Sequence, residues 1–244
     1  TVAHKSLIAY TEWVANEFSM SEEDIIGNQT PFYFSMSTLD IYQTIRNGAT
    51  MYIISKRLFS FPIRLLEYIN EKQINFIYWV PSALCLTVNF RALGKRDISC
   101  LKTILFAGEV MPAKQLNAWI KELPSAKFAN LFGPTEVTDI CSFYRINRKL
   151  SDTECVPIGH ACQNTDLIIL NSEDKEVALG EMGELCVRGS FLAYGYYKNP
   201  DKTAEVFVQN PLNNAYPEII YRTGDLVKYN EYGELIYICR KDFQ

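Results

Sequence analysis

Leu7, Tyr10 and Val14 recur at helical spacing near the start of the chain and predict a helix with one apolar face. From about residue 30 to residue 145, short apolar runs alternate with helical periodicity. Phe32-Tyr33-Phe34-Ser35 reads as the first run, followed by a helix around 40–45 that Gly48 ends. Met51-Tyr52-Ile53-Ile54 predicts a buried strand, and Pro62 opens a helix carrying Leu65, Leu66 and Ile69. Residues 74–80 predict a third strand closed by Pro81, 103–107 a fourth and 126–132 a fifth. Leu116, Trp119, Ile120 and Leu123 stand at i, i+3, i+4 and i+7, the clearest amphipathic helix in the chain. Apolar strands separated by helices imply a parallel sheet with helices on both faces.

After about residue 155 the period changes. Residues 166–170, 184–188, 221–229 and 234–238 alternate as strands, with turn-rich segments at 171–174, 180–183 and 230–233. In the last hairpin, alternation sets Val227 and Tyr229 opposite Leu235 and Tyr237. Short strands with close turns predict a small antiparallel β-barrel subdomain. The expected fold class is therefore α/β with a parallel sheet over residues 1–150, then a β-barrel-like part over 151–244, the break falling near 147–155. Thr1 enters a helical pattern without an initiator Met, and Gln244 closely follows a strand-like run. Both ends lead us to expect a fragment of a longer protein.

Composition narrows the function classes. The 244 residues are 48% hydrophobic and 21% charged, so a packed core is expected and disorder is excluded. A net charge of −4 argues against a broad nucleic-acid or anionic-membrane surface. Seven cysteines with no C-x-x-C pair and only two histidines indicate neither a disulfide framework nor a zinc site. Reduced thiols and the lack of a secretory signal predict a cytoplasmic protein, and Asn28-Gln29-Thr30 is then a chance sequon. No G-x-G-x-x-G, G-x-x-x-x-G-K-[ST] or G-x-S-x-G occurs.

Two motifs carry chemistry. Asn130-Leu131-Phe132-Gly133-Pro134-Thr135-Glu136 closes the fifth expected strand, and ligands of open α/β sheets collect at carboxyl ends of strands. Phe132 offers a flat face to a purine, Thr135 a hydroxyl to a phosphate, and Glu136 a hard carboxylate to Mg²⁺. In Tyr221-Arg222-Thr223-Gly224-Asp225-Leu226 a turn presents Asp225, whose carboxylate could accept both ribose hydroxyls. Alone, the first reads equally as a plain strand-to-loop turn, and the second reads better as a hairpin turn with a solvated Asp.

Their combination is more specific. Phe-Gly-Pro-Thr-Glu, then Gly183-Glu184-Leu185-Cys186-Val187-Arg188-Gly189, then Tyr-Arg-Thr-Gly-Asp-Leu, then Arg240-Lys241-Asp242-Phe243-Gln244 strongly resembles the adenylate-forming superfamily. Within it, the chain is similar to amino-acid adenylation domains of the nonribosomal peptide synthetase and D-alanine–carrier-protein ligase type. Gly108-Glu109-Val110-Met111-Pro112 also matches a family segment.

The resemblance implies that a carboxylic acid, an amino acid in the main reading, reacts with ATP and Mg²⁺ to an acyl-adenylate and pyrophosphate. The acyl group then passes to the phosphopantetheine thiol of a carrier protein. Asn130 to Thr135 would line the adenine and phosphate site, with Glu136 on Mg²⁺ and Thr135 and Glu136 as the catalytic pair. Asp225 would hold the ribose, Tyr237 and Arg240 would approach its phosphate side, and Asp242 would be the hinge to a C-terminal domain. The acid pocket by similarity takes in Ser35, Met36, Leu39, Tyr78, Leu105, Ala107, Gly108, Leu131, Asp139 and Ile140.

Three departures shape these expectations. The family's phosphate loop should lie upstream of Thr1 and its catalytic lysine beyond Gln244, so the 244-residue chain alone is expected not to adenylate. Phe34-Ser35-Met36-Ser37 puts Ser35 where relatives that activate α-amino acids place an Asp for the substrate ammonium. Either Asp139 replaces that charge, or the acid has no α-ammonium, as in aryl, fatty or β-amino acids. Ala107 stands where D-alanine ligases tend to carry a Cys, and Phe132 replaces a commoner Tyr. The competing readings are an acyl-CoA synthetase using free coenzyme A and a catalytically silent interaction module.

Overall fold

The computed structural model describes residues 1–242; Phe243 and Gln244, the end of the last motif, lie outside the described residues. Two compact units form. One comprises Thr11–Leu131 and Arg145–Val156; the other gathers Thr1–Tyr10, Phe132–Tyr144 and the chain from Pro157 onward.

The first unit is α/β. Helix α1 (His4–Phe18) leads into strand β1 (Ile25–Asn28), followed by α2 (Ser37–Asn47), β2 (Thr50–Ile53), α3 (Lys56–Phe59) and α4 (Pro62–Glu71). Then come β3 (Phe76–Trp79), α5 (Pro81–Asn89), β4 (Thr103–Phe106), α6 (Ala113–Glu122) and β5 (Lys127–Phe132). Strands β2, β1, β3, β4 and β5 lie side by side in that order, all parallel, with Phe76 opposite Thr103 and Thr103 opposite Lys127. Every residue of β3 and β4 is buried, as a parallel strand covered on both faces requires. Helix α4 starts on Pro62, whose missing N–H costs nothing there, and buries Leu65, Leu66 and Ile69. Gly48 ends α2 at φ 69°, its N–H donating to the Thr44 carbonyl. The core joins Leu66, Ile77, Trp79, Ile104, Phe106 and Trp119. Each large side chain so buried contributes roughly 1.5–3 kcal/mol.

Two strand expectations need correction. Phe32-Tyr33-Phe34-Ser35 is not a strand: its rings are exposed, and the backbone turns, with Phe34 N–H on Pro31 O and Ser37 N–H on Phe34 O. The strand of that region is β1, whose Gly27 and Asn28 mask it in sequence. Gly27 is needed there, because a Cβ would come within 2.9 Å of Ile74 Cγ2. The run at 51–54 does pair as β2, but as the sheet's edge, with Ile53 63% exposed instead of buried.

The stretch read as an interdomain break also packs. Leu150 and Val156 are buried, Asn117 Nδ2 donates to Leu150 O at 3.0 Å, and Pro112 bridges Cys155. It belongs to the α/β unit because two apolar side chains anchor it there.

The second unit is antiparallel. Strands β6 (Ser142–Arg145) and β7 (His160–Ala161) pair with each other. Strands β8 (Thr165–Leu170) and β9 (Gly183–Gly189), helix α7 (Pro200–Val206), and strands β10 (Phe207–Gln209), β11 (Ile219–Tyr229) and β12 (Leu235–Arg240) follow. The sheet order is β10-β11-β9-β8, with β12 also on β11. Register breaks in β11 against both β9 and β12 bend it, giving the curled sheet that the barrel-like expectation described. Val227 faces Tyr237 and Tyr229 faces Leu235, as alternation predicted. Val137, Cys141, Leu185, Val187, Tyr221, Val227 and Leu235 form its core.

Candidate active site

Gly133 makes the turn after β5 possible. A Cβ there would lie 2.5 Å from Ile140 Cα and 2.6 Å from Cys141 N, because the chain doubles back on itself. Cys141 N–H donates to Phe132 O at 2.8 Å and closes the loop. Between them, Pro134 is extended, Thr135–Val137 make a turn of 3₁₀ helix, and Thr138 and Asp139 adopt positive φ of 57° and 85°. Two successive non-glycine residues in that region are strained. Side chains hold them: Thr138 Oγ1 donates to Phe191 O at 2.6 Å, and Tyr10 Oη donates to Asp139 Oδ2 at 2.8 Å. Thr135 stays exposed at the turn and Glu136 half-buried.

The hairpin of β11 and β12 supplies the other expected nucleotide residues of this unit. Gly224 takes φ 74° and its carbonyl accepts from Lys241 N–H at 2.7 Å. Glu184 Oε1 accepts from Gly224 N–H at 3.2 Å, and its Oε2 meets Arg222 Nε at 3.1 Å. Asp225 is 6% exposed; its N–H donates to Thr223 Oγ1 at 3.0 Å, and Arg240 Nη1 lies 3.5 Å from its carboxylate. Burial raises the Asp225 carboxyl above its ordinary range, with Arg240 acting against that. The Tyr237 ring meets Phe132 at 5.9 Å between centroids.

A cleft of about 520 Å³ opens on this unit, within the usual ~300–1,000 Å³ of small-molecule sites. It brings together Pro134, Glu136, Arg240 and Asp242 of the expected residues. Phe132, Asp225 and Tyr237 are not among its lining residues. Glu184 and Tyr221, which the motifs contained without a role, also line it, as do Tyr196 and Lys202, which no motif contained. Tyr196 Oη donates to Glu136 Oε1 at 2.5 Å, and burial together with that carboxylate pushes the phenol up to about 12, so it remains a donor at neutral pH. Asn199-Pro200, an N-cap followed by a first-turn proline, was the available signal for α7 and the loop before it.

The expected acid-pocket residues divide between the units. In the α/β unit Leu39, Tyr78, Leu105, Ala107 and Leu131 are buried, Asn130 is 6% exposed, and Ser35 and Met36 are half-buried at the start of α2. Gly108 adopts φ 85°, and a Cβ there would touch Met36 Sδ at 3.4 Å. Buried Asp40, in the first turn of α2, accepts from Asn28 Nδ2 at 2.7 Å. Asp139 and Ile140 belong to the other unit, both buried.

Comparison with known proteins extends this picture. The family model described as AMP-binding enzyme matches residues 1–197. A D-alanine--D-alanyl carrier protein ligase of Bacillus licheniformis is 28% identical over 244 residues, taking in 100% of this chain and 47% of that protein. Tyrocidine synthase 1 of Brevibacillus parabrevis is 31% identical over 241 residues, 99% of this chain and 21% of the synthase. The chain thus spans about half the length of the ligase and a smaller share of the synthase. The Vibrio cholerae adenylation domain AlmE, solved in complex with glycyl-adenosine-5′-phosphate, superposes with a TM-score of 0.86 at 26% identity. That match covers 98% of this chain and 44% of AlmE.

Proposed function

Since residues 1–197 match its model, this chain belongs to the AMP-binding enzyme family, and we propose that it is the nucleotide- and acid-binding part of an amino-acid-activating ligase. The whole enzyme would join a carboxylic acid to ATP and pass the acyl group to a carrier protein's phosphopantetheine thiol, in the cytoplasm where ATP is made. The substrate carboxylate attacks the α-phosphorus, the P–O bond to pyrophosphate breaks, and the acyl-adenylate remains. The protein's task in such a step is positioning and charge neutralisation.

One observation carries this reading: the cleft on which Glu136, the Thr223-Gly224 turn and Arg240 converge, with Arg240 in turn 3.5 Å from the Asp225 carboxylate. Asn130 to Thr135 would take the adenine and phosphates, Asp225 the ribose hydroxyls, and Tyr237 and Arg240 the ribose–phosphate side. Among the described residues the Lys202 ammonium pairs with Glu205 alone, at 3.0 Å on the surface, a pair worth little and readily exchanged for phosphate. Asp242, now on Arg240 at 3.2 Å, would be the hinge.

Mg²⁺ suits the donor set. Among the described residues no group of three or more His, Cys, Asp or Glu could cage a metal. One carboxylate, Glu136, with nucleotide phosphates and water is the coordination Mg²⁺ favours. When bound it would neutralise charge developing on the phosphates. Asp139 is the proposed partner of the substrate ammonium, since Ser35 offers no charge; a buried anion of this kind is what a desolvated ammonium needs.

The test is acid-dependent ATP–pyrophosphate exchange by the complete protein, across L-, D- and β-amino acids, aryl acids and fatty acids. Exchange with one α-amino acid supports the reading in full. Exchange only with acids lacking an α-amino group removes Asp139 from its role. No exchange with any acid sinks the enzyme reading.

A further inference from the structure

Tyr196 lies in none of the motifs read for the nucleotide site, yet the loop that carries it grips Glu136 at two points. Ala193 N–H donates to the Glu136 carbonyl at 2.8 Å, and Tyr196 Oη donates to Glu136 Oε1 at 2.5 Å. Among the described residues no protein group bonds Glu136 Oε2. The carboxylate is therefore oriented by one oxygen and offers the other to the cleft.

The tyrosine is itself fixed. Its backbone N–H donates to Thr203 Oγ1 at 2.9 Å, and Thr203 Oγ1 in turn donates to Asn199 O at 2.8 Å. Gly195 takes φ 121° and lets the chain pass so close to Thr203 that a Cβ would fall 2.3 Å from its Cγ2. The Tyr196 ring meets Phe207 edge-on at 6.3 Å, and Phe207 packs on Tyr221 at 4.9 Å. A chain of contacts thus runs from the start of α7 to one carboxylate oxygen.

We propose that Tyr196 is the positioning residue that orients the Glu136 carboxylate toward a divalent cation carried by the nucleotide. This rests on the role given to Glu136 above. A free glutamate side chain samples several rotamers, and holding it in one removes that entropic cost from metal binding. Partners that orient a metal ligand from behind are typically worth 10–100-fold in metal affinity.

The test uses the complete protein with Mn²⁺ and a non-hydrolysable ATP analogue, free Mn²⁺ being read by electron paramagnetic resonance. Tyr196→Phe keeps the ring and loses the hydroxyl. It is expected to weaken Mn²⁺ binding about tenfold or more, while AMP affinity without metal stays within twofold. In pyrophosphate exchange the Mg²⁺ needed for half-maximal rate should rise by a similar factor, with kcat at saturating Mg²⁺ within threefold. Phe207→Leu keeps the hydroxyl and loosens only the packing; an equal loss there would reduce Tyr196 to a structural role and overturn the proposal. Mn²⁺ affinity of Tyr196→Phe within twofold of wild type overturns it too. Glu136→Gln separates the two ideas: if it also leaves Mn²⁺ binding intact, the role given to Glu136 has failed, and Tyr196's with it.

Discussion

Asp225 and Arg240 are register partners across β11 and β12, with Arg240 Nη1 3.5 Å from Asp225 Oδ1 and 3.0 Å from Thr223 O. The guanidinium therefore spans the turn at Gly224, bonding the residues on both sides of it. Its other contact, with Asp242, leads straight to the end of the strand. The acid is buried and, among the described residues, is paired with this one distant cation, which ties its ionisation to the stability of the unit.

Burial raises the Asp225 carboxyl, so in the folded protein it holds its proton to higher pH than in the unfolded chain. Stability is then lost as pH rises through the ordinary carboxylate range of about 4 toward the raised value. Asp225→Asn is expected to raise Tm at pH 7, with the difference from wild type closing below pH 4. The same variant should raise KM for ATP at least tenfold, the cost of about 1.4 kcal/mol of lost hydrogen bonding to a charged group. Calorimetry across pH and exchange kinetics read the two effects separately.

Gly133→Ala inserts a methyl group where backbone atoms of residues 139 to 141 stand within 2.7 Å. Overpacking of this kind costs roughly 1–3 kcal/mol, and rigid backbone neighbours place this case at the upper end. Urea unfolding should give a lower midpoint at unchanged slope. ATP affinity should fall with it, because the turn that carries Thr135 and Glu136 moves.

Asp139→Asn in the complete protein is expected to lower amino-acid-dependent exchange at least 100-fold and to leave KM for ATP within threefold. Tyr10→Phe, which removes the donor at 2.8 Å, should fall between the variant and wild type. Unchanged amino-acid use by Asp139→Asn would exclude it as the ammonium partner.

The thiols divide by burial. Cys186 is buried and its pKa is pushed up to about 12, and Cys141 is pushed higher still by complete desolvation. Cys155 is exposed. Iodoacetamide at pH 7.5 should label Cys155 within minutes and reach Cys141 and Cys186 only after denaturation, read by peptide mass spectrometry.

What could be read ahead of the structure was whatever repeats over a short span. The 3.6-residue spacing of Leu116, Trp119 and Ile120 found α6, and the two-residue spacing around Val227 and Leu235 found both the hairpin and its register. What failed depended on distant partners. Gly27 reads as a strand breaker, but Trp79 Nε1 donates to its carbonyl at 2.7 Å and Ile74 packs where its side chain would be, from about 50 residues away. The rings of Phe32 to Phe34 looked like core and lie on the surface, since hydrophobicity alone carries no address. The motif order gave Glu136, while its partner Tyr196 lies 60 residues on, and only the folded chain brings the two together.

The assembly of one unit from three separated stretches of sequence has a consequence for biosynthesis. Residues 11–131 are contiguous and can pack as they emerge, whereas Ser6 hydrogen-bonds Leu192, 186 positions later. At about 5–20 residues per second the ribosome needs roughly 10–40 s to cover that interval. Until then Tyr10, fully buried in the finished fold, lacks its ring partner Phe191. Changes that slow closure of the β-rich unit are therefore expected to lower the amount of folded protein before they alter its chemistry.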